Sequence, residues 1–498
     1  MSHGGAAGAK ETNAFPTHHA SLEGSGLRDR LPVAVIGAGP VGLAAAVHLL
    51  ERGERPLILE AGEFPGSTVR TWAHVRMFSP WRTLVDPVAG AALEARGWSP
   101  PDPDGVPTGA ELVEAYLDPL AALPGVRDVL RTGRRVAHVG RSGLDKLNGL
   151  AREAAPFELV VERGGGRASP TGKGSELWDG GSHGAAGRLA ERHLAKAVID
   201  ASGTFHRPNP LGDKGLSAEG EEELADRIVY GIPDPRHSDG FAGRRTAVVG
   251  NGDTALNALL ALAELVREDP ETRITWVVRG EPVDDRSETV PTDALPERTR
   301  LRRRAHALLH EGVVELVKGF AVRTLREEDG GAVLERDEDL GGANHPQGSA
   351  ALGPFHRVVA ATGSRPDLEM LRELWLDLDP RLECPARLAP LVDTELHSCE
   401  TVEPHGYHEL RQPEPGFFLL GLKSYGRAPG FLLTTGYEQV RSVVSALVGD
   451  MEGAKVDPGS VRTGGACSAP AAQVPAEVDG PRGVELGPAP SGSAGCCG

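Results

Sequence analysis

Two stretches of the chain carry the same glycine-rich pattern far apart in the sequence. VIGAGPVG occupies residues 35–42, and VVGNGDTA occupies residues 248–255. In each, an apolar run precedes the glycines and an apolar helical pattern follows them. A strand, a glycine turn and a helix in this order form a cradle for phosphate groups, because the helix N-terminus presents free N–H groups at the turn. The chain is therefore predicted to contain two phosphate-binding βαβ units.

The first turn has the residues that a dinucleotide site needs. Gly37 permits the tight turn, Gly39 lets the backbone approach a pyrophosphate, and Gly42 lets the helix pack closely on the strand. Pro40 suits a first helical turn, where its missing N–H costs nothing. Glu60 ends the next apolar run, near the spacing of an acid that binds ribose hydroxyls. Because such an acid repels a 2′-phosphate, the first turn is predicted to bind FAD.

The second turn differs at the end of its following strand. Ala255 replaces the third glycine, which is an accepted variant of the pattern. The next apolar run, ITWVVR, ends in Arg279, whose planar guanidinium can pair with a 2′-phosphate. Arg286 and the LRRRAH run at 301–306 are alternatives for the same contact. The second turn is therefore predicted to bind NADPH through Gly250, Asn251, Gly252, Asp253, Thr254 and Arg279.

Charge and cysteine content exclude several classes of partner. The net charge of −17 argues against nucleic acid and gives no reason to expect an anionic membrane surface. The apolar stretch 31–50 is interrupted by three glycines and a proline, and it begins too late for a secretory signal. Five cysteines in 498 residues do not form a disulfide framework. A cytoplasmic protein with no membrane and no nucleic-acid partner is expected.

Two further motifs identify a family resemblance. DASG at 200–203 precedes the second turn, and AATGSRPD at 360–367 follows it. Together with the glycine turns, they resemble the two-dinucleotide-binding flavoproteins, which include thioredoxin reductase, mercuric reductase and flavin-containing monooxygenases. The resemblance covers roughly residues 31–450 and implies FAD bound by an N-terminal segment and a returning C-terminal segment, with an NADPH domain inserted between them. The segment at 416–447 looks like the returning part, although Leu422 stands where reductases of the family have Asp.

The resemblance, with the alternation of apolar runs and helical patterns, predicts the fold class. It is α/β, with two Rossmann-like three-layer dinucleotide-binding domains, of which the FAD domain is discontinuous and the NADPH domain is inserted. Gly203, Gly363 and Gly421 are carried over as cofactor contacts. Gly-rich residues 163–187 are expected to form an exposed loop. The predicted segments are a disordered leader (1–28), the first part of the FAD domain (29–240), the NAD(P)H domain (241–366), the returning part (367–450) and a disordered tail (451–498).

The electron acceptor is less readable from the sequence. No CxxC or CxxxxC occurs, so an internal redox disulfide is not expected, and Cys384 and Cys399 are too isolated to pair. The segment before the second turn resembles a degenerate form of the short motif of monooxygenases, with Tyr230 near the expected His. The main prediction is accordingly an FAD-dependent NADPH oxidoreductase of the monooxygenase-like branch that acts on a small molecule, with a homodimer as the candidate assembly.

The segment WAHVRMFSPWRTLVD at 72–86 concentrates aromatic and polar side chains in a chain with few aromatics. It follows the Glu60 strand, where relatives wrap the chain past the flavin ring. A flavin edge or substrate wall needs planar apolar surface and hydrogen-bond donors, although an ordinary connecting loop is the competing interpretation. The segment contributes Trp81 as a predicted cofactor contact and His74 and Arg76, with Tyr230, as catalytic candidates; its other polar or aromatic members are Trp72, Ser79 and Arg82.

The C-terminus suggests an alternative function. SAGCCG carries the adjacent thiols Cys496 and Cys497, which are good ligands for soft metals and resemble the terminal pair of mercuric reductase. Cys467 would be a third thiolate, as for arsenite or mercury. A soft-metal or metalloid-linked flavin reductase is therefore one alternative, and two incidental thiols are the other interpretation of the pair. A flavin redox sensor without turnover is the non-enzyme alternative.

Overall fold

The structure, a computed structural model, describes residues 28–149, 152–163, 190–234, 240–282, 296–336, 350–396 and 404–456. Most of the predicted leader, Gly-rich loop and tail lies outside these ranges. The strands of the described ranges are β1 (Val33–Ile36), β2 (Pro56–Leu59), β3 (Leu130–Arg131), β4 (Arg134–Arg141), β5 (Phe157–Arg163), β6 (Ala190–Ala195), β7 (Ala197–Asp200), β8 (Ile228–Tyr230), β9 (Arg245–Val249), β10 (Arg273–Val277), β11 (Val314–Val317), β12 (Thr324–Glu328), β13 (Gly331–Glu335), β14 (Ala351–Phe355), β15 (Arg357–Ala360) and β16 (Phe417–Leu419).

The helices differ widely in length. The longer ones are α1 (Pro40–Glu51), α2 (Pro87–Glu94), α3 (Asp253–Glu268), α4 (Pro296–His310) and α5 (Leu433–Leu447). Short helical segments are Ser67–Arg70, Trp81–Leu84, Gly109–Leu112, Val113–Leu117, Asp118–Ala122, Pro124–Val129, Ala225–Arg227, Glu369–Leu371, Ala389–Val392, Tyr407–Leu410 and Gly421–Tyr425. Among the helices of the described ranges, none combines the length and apolar character that a membrane span requires.

Two parallel sheets organise the molecule. The first has the order β16-β7-β1-β2-β3, and the second has the order β11-β10-β9-β15-β8. In each sheet the strand that leads into a glycine turn, β1 or β9, is central. The strands of the first sheet come from two parts of the sequence, one before and one after the strands of the second sheet, because β16 returns to pair with β7. The predicted α/β class with a discontinuous first domain and an inserted second domain is confirmed.

Each sheet is covered by helices on one face and by a small antiparallel sheet on the other. In β1, Val33 and Val35 pack in a core with α1 and α5, while Ala34 and Ile36 pack against the β4-β5-β6 meander. The second domain repeats this alternation, with α3 and α4 on one face and β12-β13-β14 on the other. Both domains therefore have three layers. The third layer is a three-stranded antiparallel meander, whereas in a doubly wound fold that layer consists of helices.

The two domains differ in the origin of their outer strand. In the first sheet, β16 reaches the edge from the C-terminal end of the chain, whereas in the second sheet β8 pairs with β15 before the rest of its domain begins. The chain thus enters the second domain earlier than residue 241, the boundary that the sequence suggested. The difference arises because β8 is a short edge strand with no glycine turn of its own, so only its position in the sheet assigns it.

The two crossings between domains lie side by side. The outgoing segment 204–209 and the returning segment 362–367 form hydrogen bonds from Asn209 N to the Gly363 carbonyl at 2.9 Å and from Asn209 Nδ2 to the Thr362 carbonyl at 3.0 Å. The hydroxyls of Thr204 and Ser364 also meet, at 2.8 Å. Residues directly after the DASG and AATG motifs are therefore in contact.

Candidate functional site

The first glycine turn is held tightly by its surroundings. Gly37 has φ +95°, and a Cβ there would come within 2.9 Å of the Ala201 carbonyl oxygen. A Cβ on Gly42 would overlap the Gly37 carbonyl oxygen. Gly37 N donates to the Leu59 carbonyl at 2.8 Å, which ties the turn to β2. These glycines are thus required by the local fold, as predicted for a tight strand–turn–helix unit.

Gly39 has a different surrounding. A Cβ on Gly39 would meet nothing within 4 Å, and the backbone there has an extended conformation that any residue can adopt. Neither packing nor backbone geometry therefore requires a glycine at this position. It is the N-cap of α1, it has no capping side chain, and Pro40 follows at the first helical position. The first N–H groups of a helix need partners, and here no side chain supplies one. An open glycine at an uncapped helix N-terminus fits a phosphate group placed against the backbone.

Glu60 lies directly beside this turn. Its two carboxylate oxygens accept hydrogen bonds from Ala38 N at 2.7 Å and from Gly62 N at 2.8 Å. Burial raises the pKa of Glu60, and the two backbone donors partly oppose the rise. Each oxygen keeps a further lone pair for a ribose hydroxyl. The side chain therefore fits the predicted role and is fixed in place before any ligand binds.

The second turn repeats the geometry of the first. Gly250 has φ +139°, and a Cβ there would overlap the Ala361 carbonyl oxygen, as Gly37 faces Ala201. Gly252 caps α3 without a capping side chain, and a Cβ on it would meet nothing within 4 Å. The Trp276 indole donates a hydrogen bond to the Gly250 carbonyl at 2.7 Å and so ties the turn to β10. Both cradles thus have a glycine that makes the turn against a neighbouring carbonyl oxygen and a second glycine, at the helix end, with open space beside it.

Other members of the second turn have partners of their own. Asn251 Nδ2 donates to the Glu281 carbonyl at 2.8 Å, just beyond the end of β10. Asp253, the first residue of α3, forms an ion pair with Arg298 at 3.2 Å. Thr254 is half-buried in the first turn of α3. The structure therefore brings the predicted residues of the second turn together at one edge of the sheet.

Basic side chains surround this second edge. Arg279 is exposed and donates to the Asp213 carbonyl at 3.0 Å. On α4, Arg298 lies over the Phe78 ring at 5.3 Å, which brings the 72–86 segment against the second domain. One turn further, Arg302 is 8% exposed, and its Nε and Nη2 have no hydrogen-bond partner. Buried guanidinium nitrogens without hydrogen-bond partners are costly, so an anion is the expected neighbour.

The returning segment closes the first cradle. Gly421 has φ +68°, and a Cβ there would lie 3.2 Å from the Val41 side chain in the first turn of α1. Gly421 N donates to Gln439 Oε1 at 2.8 Å, and Ser424 Oγ donates to the Gly421 carbonyl at 2.7 Å. Gly421 therefore stands next to the first glycine turn, and its role as a cofactor contact stays a prediction. Gly203 and Gly363, with φ +73° and +83°, occupy matching turns after β7 and β15.

The side chains of the 72–86 segment point to different surroundings and do not line one site together. Trp81 is 7% exposed in the hydrophobic core, and Arg76 is exposed and donates to the Val106 carbonyl at 2.5 Å. His74 Nδ1 lies 3.8 Å from Asp234 Oδ2, in the segment that follows β8. Trp72 stacks on Phe205 with ring centroids 6.4 Å apart, and its buried Nε1 has no hydrogen-bond partner. Trp72 therefore has a donor that is not used within the part of the protein that the structure describes, and it packs on Phe205, two residues after Gly203.

Tyr230 lies at the end of β8 and away from the first cradle. Its hydroxyl donates to the buried carboxylate of Glu221. Burial, together with this contact, raises the pKa of Tyr230 far above its ordinary value. Tyr230 is therefore protonated at neutral pH, and its hydroxyl proton is engaged within the second domain. Its role as an acid or base stays an untested prediction.

The one cysteine among the described residues, Cys384, forms neither a redox site nor a metal site. Cys384 is buried, and burial, with Asp379 nearby, raises its pKa to about 12. Because the thiolate is the reactive form, this thiol is inert near neutral pH. Within the part of the chain that the structure describes, no group of three or more His, Cys, Asp or Glu side chains is placed to hold a metal. The predicted thiols Cys467, Cys496 and Cys497 lie outside the described residues, as do Cys399 and Arg286.

The sequence interpretation missed a buried ion pair beside the first cradle. Lys423 Nζ lies 2.7 Å from Asp200 Oδ2, and both side chains are fully buried. Two signals were present in the sequence. Asp200 ends an otherwise apolar strand, and Lys423 follows the returning glycine by two positions. A charged residue at each of two positions that are expected to be buried indicates that the two charges pair, because unpaired charges are almost never fully buried.

Comparison with known proteins agrees with this arrangement. Residues 32–206 match a family described as FAD dependent oxidoreductase. A ferredoxin–NADP reductase of Ignicoccus hospitalis is 24% identical over 354 residues, which is 71% of this chain and 82% of the relative. Its counterpart in Salinispora arenicola is 26% identical over 361 residues, covering 70% and 79%. The matched residues include the first glycine turn and Glu60, where the sequence predicts FAD.

Solved structures support the fold. A bacillithiol disulfide reductase of Bacillus cereus matches with a TM-score of 0.55 and 19% identity, covering 84% of this chain and 99% of that one. A cadaverine monooxygenase of Erwinia amylovora, solved with FAD bound, matches with a TM-score of 0.54 and 14% identity, covering 89% and 99%. At these identities the likeness concerns the fold alone.

Proposed function

We propose that this FAD-dependent oxidoreductase with two dinucleotide-binding domains takes hydride from NADPH at its second turn and passes it to FAD at its first. The observation that carries the proposal is the repeated cradle. Gly37 and Gly250 pack against equivalent carbonyls, and Gly39 and Gly252 leave equivalent open space at uncapped helix ends. A protein that bound one dinucleotide would need only one such cradle.

The residues around each cradle favour different dinucleotides. Glu60 offers carboxylate oxygens to ribose hydroxyls at the first cradle and would repel a 2′-phosphate there. Arg279, Arg298 and Arg302 make the second edge basic, which suits the extra phosphate of NADPH. The names of the ferredoxin–NADP reductase relatives support the same assignment. When bound, FAD would supply the electron-accepting ring, and the protein would supply binding, orientation and electrostatics.

The route by which electrons leave favours an external acceptor. The one described cysteine, Cys384, is buried and protonated near neutral pH, so no thiol relay is available in the described residues. Oxygen with a small substrate, as in the monooxygenase-like prediction, is one acceptor class. A small iron–sulfur protein is a second candidate, because the curated relatives carry the name ferredoxin–NADP reductase.

The decisive test is anaerobic reduction of the purified holoprotein. Mixing with NADPH in a stopped-flow instrument is expected to bleach the flavin absorbance, and NADH is expected to act more slowly. Admitting oxygen, with hydrogen peroxide measured against NADPH consumed, then separates an oxygenase from a reductase. Adding an iron–sulfur protein to the anaerobic reduced enzyme tests the second candidate. A protein that takes up no FAD, or whose bound FAD ignores NADPH, would contradict the proposal.

Arg279 is expected to determine the choice of nicotinamide dinucleotide. Replacing it with Glu puts a carboxylate where the guanidinium would meet the 2′-phosphate. We expect the Kd for NADPH to rise at least tenfold, because a charge-assisted pair is lost and a repulsion is added. The Kd for NADH should change little. Both constants are measured by titrating the holoprotein and following protein fluorescence.

An Arg302→Gln variant is the comparison for that experiment. It removes the buried charge on α4 without touching the exposed end of β10. If Arg279→Glu leaves the preference for NADPH unchanged and Arg302→Gln abolishes it, the 2′-phosphate contact belongs to α4. If neither variant changes the preference, the basic edge plays no part in selecting the dinucleotide.

A further inference from the structure

The buried pair of Asp200 and Lys423 joins two separate segments of the first domain. Asp200 is the last residue of β7, and Lys423 lies in the returning turn Gly421–Tyr425. The ammonium also donates to Ser202 Oγ at 3.0 Å. Ser202 in turn donates to Asp200 Oδ1 through its hydroxyl at 2.7 Å and its backbone N–H at 3.1 Å. A closed ring of three side chains therefore links the turn after β7 to the returning turn.

Stability of the fold alone does not explain this ring. Taking two charges out of water costs several kcal/mol per ion, and apolar residues of similar volume often give an equally stable core. The second domain provides the internal comparison. Asp200 pairs with Ile36 in the first sheet, and Ala360 pairs with Val249 at the same position in the second. The strand end therefore does not require a carboxylate, and the pair is specific to the first cradle.

The ring holds the parts of the cradle that come from distant segments. Ser202 precedes Gly203, whose open side faces the same edge as the first turn, and Ala201 is the residue against which Gly37 packs. On the returning side, Gly421 contacts Val41 in the first turn of α1. Leu420 N also donates to the Asp200 carbonyl at 2.9 Å. Three turns thus meet at one place, and the ion pair lies between two of them.

The equivalent turn of the second domain is held differently. Thr362 stands where Ser202 stands, and its hydroxyl donates to the Asn209 carbonyl at 2.5 Å. Asn209 belongs to the segment that crosses between the domains. The second cradle is therefore tied to the inter-domain crossing, whereas the first is tied to its own sheet by a buried ion pair.

We propose that the Asp200–Lys423 pair, with Ser202, preassembles the first cradle and is the reason that this site retains its dinucleotide while the second site exchanges one. This inference rests on the proposed function. A cradle already held in its binding geometry has less ordering entropy to lose when the ligand binds. Asp200 and Lys423 are positioning residues, since they act through the turns on either side of them.

The test compares Lys423→Met and Asp200→Asn with the wild-type protein. FAD is removed, the apoproteins are titrated with FAD, and its Kd is obtained from the quenching of flavin fluorescence. We expect each variant to raise the FAD Kd at least tenfold, with the double variant no worse than either single one. The Kd of the FAD-loaded proteins for NADPH should stay within twofold of the wild-type value.

The melting temperatures of the apo and FAD-loaded forms distinguish positioning from a purely structural role. A positioning role shrinks the gap between the two forms, because ligand stabilisation depends on Kd. Glu414→Gln is the matched control, since Glu414 is an equally buried ion-pair member that precedes β16 at the other end of that strand. It should lower both melting temperatures together and leave the gap unchanged.

Ser202→Ala keeps both charges and serves if the charge variants do not fold. It removes the hydroxyl that bridges Asp200 and Lys423, and a threefold to tenfold rise in FAD Kd is expected. The proposal is overturned if the variants bind FAD within twofold of wild type or lose apo and holo stability equally. If wild-type protein binds no FAD, the proposed function falls as well. If wild type binds FAD and is reduced by NADPH while the variants match it, only this inference fails.

Discussion

A Gly39→Val variant is expected to fold normally and to purify without FAD. A Cβ added here meets no protein atom within 4 Å, and the backbone at this position has an ordinary extended conformation. It does occupy the space through which a pyrophosphate must approach the N-terminus of α1. We expect the FAD Kd to rise about 100-fold, which corresponds to about 2.8 kcal/mol of binding free energy. Visible absorbance of the purified protein and fluorescence titration measure the loss.

Gly252→Val is the reciprocal control for this prediction. Gly252 is the open glycine of the second cradle, so the same substitution there should leave FAD bound and abolish reduction by NADPH. Circular dichroism should report unchanged secondary structure for both variants. The assignment of the cradles fails if Gly39→Val keeps FAD, and it is reversed if Gly252→Val is the variant that loses the flavin.

Removing the carboxylate of Glu414 is expected to destabilise the first domain strongly. Glu414 is fully buried between Arg141 at 2.7 Å and Arg152 at 2.8 Å, and both guanidinium groups are themselves buried. Arg141 also lies over the Phe157 ring at 3.7 Å, so neither charge can reach water without breaking the core. A Glu414→Leu change leaves two buried cations uncompensated, at a cost of about 3–5 kcal/mol. Urea denaturation of the apoprotein measures the loss in unfolding free energy.

The control for Glu414→Leu is an ion pair on the surface. Glu327 pairs with Arg227 at 2.8 Å and is 57% exposed, so Glu327→Leu should cost about 0–1 kcal/mol. A comparable loss from both variants would contradict the role of burial. The less disruptive Glu414→Gln variant keeps the side-chain shape and one acceptor, and a smaller loss in the same direction is expected.

Acid should weaken the same triad in the wild-type protein. Burial raises the pKa of Glu414, but hydrogen bonds from Arg152, the Trp375 backbone and Arg141 outweigh this, so the pKa is lowered below its ordinary 4.5. A carboxyl group with a lowered pKa in the folded state adds stability above pH 4.5, and this contribution is lost as the pH falls further. Below pH 4.5, Glu414→Leu and wild type should therefore converge in unfolding free energy.

The glycine turns made most of the fold predictable. Their pattern follows from local geometry, because only glycine tolerates the φ of Gly37 and the packing of Gly42. The strands before and after them were readable as apolar runs that end near a glycine. The edge strand β8 was not assigned to the second domain, because three residues without periodicity carry too little information to place an element in a sheet.

The positions of site residues were predictable only for those that belong to one continuous sequence motif. Glu60 and the turn residues lie where the local pattern predicted, whereas Trp81 lies in the core and Arg76 bonds to a neighbouring loop. Composition marked the 72–86 segment as unusual, but the direction of each side chain depends on contacts with distant segments. The Asp200–Lys423 pair has the same property, since its partners are far apart in the sequence and meet only through the pairing of β7 with β16.

The position of β16 in the first sheet has a consequence for how the protein is made. All strands of the second sheet lie between residues 228 and 360, so that domain is complete in the nascent chain while the first still lacks an edge. β16 and α5 leave the ribosome after every strand of the second sheet, and Lys423 emerges between them. Domains generally fold as units during synthesis. The second domain is thus expected to mature first, and capture of the flavin waits until β16 and α5 have left the ribosome.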